Sequence, residues 1–140
     1  MVAYSFNKRF ADRIVAGLEP GPLLPGMKRQ TIRAPRKRHA RPGEELQLYV
    51  GMRTLSCRLL GRAICTACVP VTLILGRQPS VIVGGEDGGL AQIITDTPGL
   101  NEFAHYDGFS NWADLCGFWA DAHPGLLEFR GVLIRWEPRP

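Results

Sequence analysis

The sequence predicts an α+β fold: a small β-barrel or curled sheet with a few helices packed outside it. Three observations lead there. Short stretches with apolar residues on alternate positions recur at residues 2–6, 30–33, 45–50 and 129–136. Only residues 8–17, 98–104 and 110–122 carry helical spacing. Turn signals separate these stretches, and short strands joined by turns curl or close on themselves. The chain has 140 residues, 45% hydrophobic and 21% charged, which suits one hydrophobic core. No repeat or boundary divides it, so residues 1–140 read as one domain.

The elements follow in order. Residues 2–6 form a strand. In 8–17, Phe10, Ile14 and Val15 fall on one helical face and Gly17 is the stop. Residues 18–26 hold three prolines and two glycines and form a loop. Thr31 and Ile32 favour a short strand at 30–33, and Pro42-Gly43 turns the chain into the strand 45–50. A long β stretch is expected over 54–68, with Leu55, Cys57 and Leu59 on one face; Gly61 breaks or bulges it, and the chain continues or turns away at Pro70. Residues 81–83 and 90–94 read as two strands around the glycine-rich loop 84–89. That loop lacks a P-loop's Lys-Ser/Thr, and Glu86 and Asp87 oppose phosphate. In 110–122, Ser110 is the expected N-cap and Trp112, Leu115, Cys116 and Trp119 form an apolar stripe. Residues 129–136 are the last strand.

Charge is divided along the chain. Residues 1–62 carry thirteen Lys/Arg against four Asp/Glu; residues 63–140 carry four against nine. Between residues 28 and 41 stand Lys28, Arg29, Arg33, Arg36, Lys37, Arg38 and Arg41 without an acid. Such a cluster is either a solvated loop or a contact for a polyanion, and the lack of any acid favours the polyanion. Apolar runs are too short for a membrane span, and Lys8 and Arg9 precede no signal-type apolar region, so a cytoplasmic address and no membrane partner are expected. Cys65-Thr-Ala-Cys68 lacks the second pair that a zinc site needs, so buried thiols and no metal or other cofactor are expected.

Gly26-Met-Lys28-Arg-Gln-Thr31-Ile-Arg33 resembles the G-x-K-x-x-T-I-R signature of ASCH domains, which belong to the PUA-like superfamily. Pro42-Gly-Glu-Glu-Leu46 is similar to the family's P-G-D-x-L turn, Phe103-Ala-His-Tyr-Asp107-Gly-Phe109 to its late acidic segment, and residues 129–136 to its closing strand. The resemblance covers most of the chain except residues 70–98. It implies a small PUA-like β-barrel with a cleft holding Lys28, Thr31 and Asp107, and a partner that is RNA, a nucleotide or a modified nucleoside. One distantly similar branch hydrolyses N4-acylated cytidines. Its acid is Glu where this chain has Asp107, and residues 18–25 and 70–98 are insertions relative to it.

Two functions follow. The first is an RNA- or nucleotide-binding module with a basic cleft, acting or not on RNA or a modified nucleoside as a hydrolase. Arg29, Arg33, Arg36, Lys37, Arg38 and Arg41 hold phosphate, and Tyr49 and Tyr106 stack on bases. The helical spacing of Trp112 and Trp119 assigns them to the core instead. The second is an amidohydrolase of the N4-acylcytidine type. There Thr31 is the nucleophile, Lys28 its base and Asp107 the proton relay. This reading requires Lys28 Nζ to reach the Thr31 hydroxyl and Asp107 to face the same cavity. Its rival roles are a backbone-capping hydroxyl for Thr31 and a salt bridge for Lys28 and Asp107.

Overall fold

The structure is a computed structural model and describes residues 1–85 and 91–140. Residues 86–90 of the expected glycine-rich hairpin loop lie outside the described residues. The elements are β1 (Val2–Phe6), a 3-10 turn (Lys8–Phe10), α1 (Ala11–Gly17), β2 (Gln30–Arg33), β3 (Glu45–Val50), β4 (Arg58–Ile74), β5 (Ser80–Val83), β6 (Gln92–Ile94), α2 (Thr97–Tyr106), α3 (Trp112–Ala122) and β7 (Glu128–Pro138).

All seven strands join one sheet, built on the 17-residue strand β4. Residues 58–64 of β4 pair with β3 and residues 71–74 with β5, while β7 pairs with residues 63–74 along the opposite edge. β3 and β5 therefore occupy one edge of β4 in succession. Pro70 stands in the gap between them and its carbonyl accepts from Gly84 N, so its missing N–H falls where no ladder partner is required. The strand continues through Pro70 rather than turning away.

β1 lies parallel to β3, and β2 antiparallel to β7. The register of β4 slips at Leu60 against β3 and at Thr66 against β7, and such bulges sharpen the twist. Among the described residues the ladder stays open between β1 and β2, so the α+β class holds while no backbone ladder closes a barrel. A side chain crosses that opening instead: Arg33 Nη2 donates to Ser5 O at 2.7 Å.

Two expectations about boundaries are corrected. β4 begins at Arg58, and Leu55 and Cys57 are exposed in the turn before it. Gly51 and Arg53 have positive φ, and Thr54 Oγ1 donates to Gly51 O, which holds these residues in a turn. The N-cap of α3 is Asn111 rather than Ser110. Asn111 Oδ1 accepts from Asp114 N, and Asp114 Oδ2 accepts from Ser110 N, so the acid three residues on completes the cap.

The core runs along the sheet through Tyr4, Leu46, Leu48, Leu133, Ile134 and Trp136, and into the helices through Ile14, Phe103 and Leu115. The Thr66 bulge sets Cys65 and Cys68 opposite Trp136 and Ile134, on one face of β4. No helix among the described residues is long and apolar enough to cross a membrane.

Arg29, assigned to phosphate contact from the sequence, is 1% exposed and fixes the proline-rich loop. Its Nε donates to Gly17 O, Nη1 to Gly21 O and Glu137 Oε2, and Nη2 to Glu19 O, all within 2.7–3.0 Å. Four of its five N–H donors are thus taken by residues 17–21 and β7, and the buried guanidinium is not placed to meet phosphate. Replacing Arg29 by Met strips these carbonyls of their donors. We expect a loss of about 1–3 kcal/mol in urea unfolding, the cost of leaving the one fully buried acceptor, Gly17 O, unpaired. Glu137→Gln, at the half-exposed end of the ion pair, should cost no more than about 1 kcal/mol in the same assay.

Candidate functional site

Lys28 and Asp107 meet at the floor of a cavity of about 250 Å3, which Thr31 and Arg33 also line. Three elements, α1, β2 and α2, bring them there. Lys28 is held just before β2 by its own N–H, which donates to Arg13 O at 3.0 Å. A Cβ on Gly17 would come within 2.6 Å of Lys28 O, so the end of α1 packs against this backbone. Asp107 caps the C-terminal end of α2, and Gly108 follows with φ +87°. That conformation suits glycine, and a Cβ there would press on the Lys28 side chain at 2.9 Å.

Both charges are inside, with Lys28 2% and Asp107 5% exposed. Lys28 Nζ donates to Asp107 O at 2.6 Å, placing a cation on the carbonyl end of α2. The carboxylate oxygen Oδ1 lies 3.6 Å from Nζ, an ion-pair distance too long for a hydrogen bond. Oδ1 is buried and accepts no hydrogen bond from the described residues. Burial, helped by the nearby Arg33 guanidinium and opposed by the attraction of Asp107, lowers the Lys28 ammonium from its ordinary 10.5 to about 8. Burial likewise raises the Asp107 carboxyl above its usual range, although Lys28 opposes the shift.

The walls are aromatic. Lys28 Nζ lies 4.5 Å from the centre of the Phe10 ring, with Phe6 at 5.8 Å and Phe109 at 6.0 Å. Phe10, Phe109 and Phe118 pack edge-on or tilted at 5.3–5.5 Å. Arg9 lies against the same three rings and pairs with Asp114 of α3. Trp119, buried as the helical stripe implies, also lines the cavity, and His123 tilts against its ring.

The expected contact between Lys28 Nζ and the Thr31 hydroxyl does not form. Thr31 and Arg33 share a strand face, and Thr31 Oγ1 accepts from Arg33 Nε at 3.1 Å. Arg33 therefore holds Thr31, and Lys28 is committed to Asp107. Thr31 and Asp107 still line one cavity.

A path of alternating rings and cations leads away from it. The Arg33 guanidinium lies 4.8 Å from the Phe6 ring and 5.4 Å from Tyr4, and Arg36 lies 4.6 Å from Tyr4. His39 stacks on Tyr4 and accepts its hydroxyl at Nδ1, because the other ring nitrogen, Nε2, is directed at Ala34 O. Arg38 pairs with Glu44, whose carboxylate also accepts from Arg41 N and so ties the basic loop to its turn. The side chains of Lys37 and Arg41 have no carboxylate within 4.0 Å among the described residues.

Neither tyrosine singled out for stacking lines this cavity. Tyr49 stands on the face of β3 opposite the buried Leu46, Leu48 and Val50. Tyr106, on α2, lies under the Arg135 guanidinium at 4.7 Å and lines a neighbouring cavity. The rings at Phe6, Phe10, Phe109, Phe118 and Trp119 take that place. Of these, Phe109 carried a signal, two residues beyond the motif acid. No cluster of metal-ligating side chains occurs among the described residues, and Cys65 is buried with its thiol pushed up to about 11.

Comparison with protein-family models, with curated proteins and with solved structures finds no match.

The chain has three lysines, Lys8, Lys28 and Lys37, which makes the buried one directly observable. In 13C NMR of lysine-labelled protein, one side-chain resonance should titrate with a midpoint near pH 8 and vanish in Lys28→Met. Asp107→Asn should move that midpoint lower, since the carboxylate favours the ammonium. The unfolded chain keeps this proton up to about pH 10.4. Between about pH 8 and that value it binds more protons than the native state, so Lys28 contributes stability that rises with pH.

Proposed function

We propose that this chain is an ASCH-type, PUA-like domain that takes a nucleobase into the aromatic cavity. The base belongs to a free nucleotide or an unpaired position of RNA, and its phosphate lies along the Arg33–Arg36 path. The observation that carries this reading is the buried Lys28–Asp107 pair beneath a ring of phenylalanines. An ammonium and a carboxylate side by side offer a donor and an acceptor to the polar edge of a flat ring, and the rings offer its faces a surface. The cavity is near the small end of ligand pockets, about 300–1,000 Å3, which suits a single base rather than a stretch of polymer. Arg36, Lys37 and Arg41 stay available for phosphate. A cytoplasmic setting belongs to the same reading, supported by four cysteines without a disulfide.

Amide hydrolysis at the same site is a second reading, favoured by the Arg33–Thr31 hydrogen bond and by the burial of Lys28. With its ammonium lowered to about 8, Lys28 is in part a neutral amine at physiological pH and can take a proton. Arg33 Nε, donating to Thr31 Oγ1, favours the ionised hydroxyl. In that reaction Thr31 Oγ1 attacks the acyl carbon and its proton passes to Lys28 Nζ, a transfer that needs the bound substrate to draw the two together, because they are not in contact in the free protein. The amine leaves with a proton, and water releases the acyl group from Thr31. An N4-acylcytidine is the substrate class, and chromatography of the products is the assay. Thr31→Ala should abolish turnover while leaving affinity within a few fold; full turnover by Thr31→Ala would remove Thr31 as nucleophile.

The binding reading is tested by calorimetry with nucleoside 5′-monophosphates and short single-stranded RNA at two salt concentrations. Arg33→Met should weaken binding about ten-fold or more, the usual loss for a hydrogen bond to a charged group. Exchanging Arg36, Lys37 and Arg38 for Glu should weaken RNA binding. It should also flatten the salt dependence by about 0.7 in log–log slope for each phosphate no longer neutralised. RNA affinity that is the same at both salt concentrations would contradict the phosphate path.

A further inference from the structure

A second cavity, of about 290 Å3, lies between β6, α2 and β7 and shares no lining residue with the Lys28–Asp107 cavity. Its charged groups are Arg135 of β7, Glu102 of α2 and Asp96, the N-cap of that helix. Arg135 is fixed from two directions. Its Nε donates to Gln30 Oε1 at 2.9 Å, and the buried Gln30 amide is held at its other end, where Nε2 donates to Phe103 O at 3.4 Å. Its guanidinium lies 4.7 Å from the centre of the Tyr106 ring. Of the five N–H donors of a guanidinium, the four on Nη1 and Nη2 meet no acceptor among the described residues. Neither Asp96 nor Glu102 comes within 4.0 Å of them. Asp96 is partly engaged, since its Oδ2 accepts from Gly99 N at 3.3 Å. Glu102 has no hydrogen-bond or ion-pair partner for its carboxylate among the described residues.

Opposite charges therefore share one cavity without pairing. The cation is the inner group, half-buried and braced, while both acids are exposed. A bare anion reaches Arg135 only past two carboxylates that repel it, and a bare cation meets Arg135 behind the acids. A molecule that carries both signs satisfies both walls. We propose that this cavity binds the zwitterion of a small α-amino acid. Its carboxylate takes the Arg135 fork, and its ammonium donates to Glu102. With Nε committed to Gln30, the Nη1–Nη2 end of the guanidinium remains for a bidentate, charge-assisted pair with a carboxylate. Gln30 and Tyr106 hold that end in place before any ligand arrives, which lowers the ordering cost of binding. The cavity is just under the usual size of ligand pockets, about 300–1,000 Å3, which suits a molecule of this size. A nucleotide is the poorer match, because its phosphate would face Asp96 and Glu102. The site stands whether or not a base enters the Lys28–Asp107 cavity.

The test maps amide and arginine side-chain chemical shifts in the full-length chain. Glycine, L-alanine, L-serine, acetate, methylammonium and guanosine 5′-monophosphate are titrated separately. At least one of the three amino acids should give saturable shifts at Gly99, Glu102, Tyr106 and the Arg135 side chain, with Phe6 and Phe118 unmoved. Acetate should bind there about ten-fold more weakly or worse, the usual loss for a hydrogen bond to a charged group, and methylammonium should not saturate. Arg135→Met should weaken the amino acid by about ten-fold or more on the same ground. Each variant is first shown to be folded by its amide spectrum. Because Arg135 also braces Gln30, the exposed Glu102→Gln is the second variant, and it should weaken the amino acid while leaving acetate unchanged. No saturable shift with any of the three amino acids overturns the inference. So does acetate binding as tightly as they do, or an unchanged amino-acid affinity in Glu102→Gln. Shifts at these residues with guanosine 5′-monophosphate alone overturn it as well and make the cavity a nucleotide site.

Discussion

A lysine and an aspartate face each other at 3.6 Å inside a pocket of phenylalanines, almost wholly out of water. Removing two ions from water costs several kcal/mol each, and their attraction offsets this only where further hydrogen bonds complete the site. The surrounding fold supplies part of that completion. α2 ends so that a carbonyl meets the ammonium, and Gly108 turns the chain over the lysine stem. The Phe10 ring lies close enough to Nζ for a cation–π contact. One oxygen, Asp107 Oδ1, is left without a protein donor. A buried pair completed on one side and open on the other is a weak stabilising device, and it suits a place where a ligand supplies the last partner.

The basic half of the chain divides between structure and surface. Arg29 closes the proline-rich loop, Arg33 joins β2 to β1 through Ser5 O, Arg9 pairs with Asp114 and Arg38 with Glu44. Arg36, Lys37 and Arg41 remain as surface cations. The cluster between residues 28 and 41 is therefore less a uniform patch than a graded path. It begins with a buried lysine, passes an arginine half inside between Phe6 and Tyr4, and ends on an exposed loop.

Most strands were legible because alternation and turn residues act locally. Val2–Phe6, Gln30–Arg33 and Glu45–Val50 fall where their sequence places them. The single strand through Pro70 was not, because its tolerance depends on a gap between two partner strands that only the tertiary fold creates. The N-cap at Asn111 is set by its side chain accepting from Asp114 N while the Asp114 carboxylate accepts from Ser110 N, which the residue type at position 110 does not reveal. At the site, Lys28, Thr31, Arg33 and Asp107 stand out through the motif, and they line one cavity. Their pairing was not legible, since strand alternation ties Thr31 to Arg33 while the end of α2 takes Lys28. The role of Arg29 stayed hidden because charge composition cannot distinguish an exposed cation from one that closes a loop. The rings at Phe6 and Phe10 were not singled out as cavity walls, because in sequence such a ring is indistinguishable from core.

Amide chemical-shift mapping during titration with a nucleoside 5′-monophosphate addresses the Lys28–Asp107 cavity most directly. Saturable shifts are expected, largest at Phe6, Lys28, Thr31 and Phe109, with smaller ones at residues 36–38. Shifts confined to residues 36–41, with Lys28 and Phe109 unmoved, would contradict that expectation and leave a basic surface without a base-binding cavity.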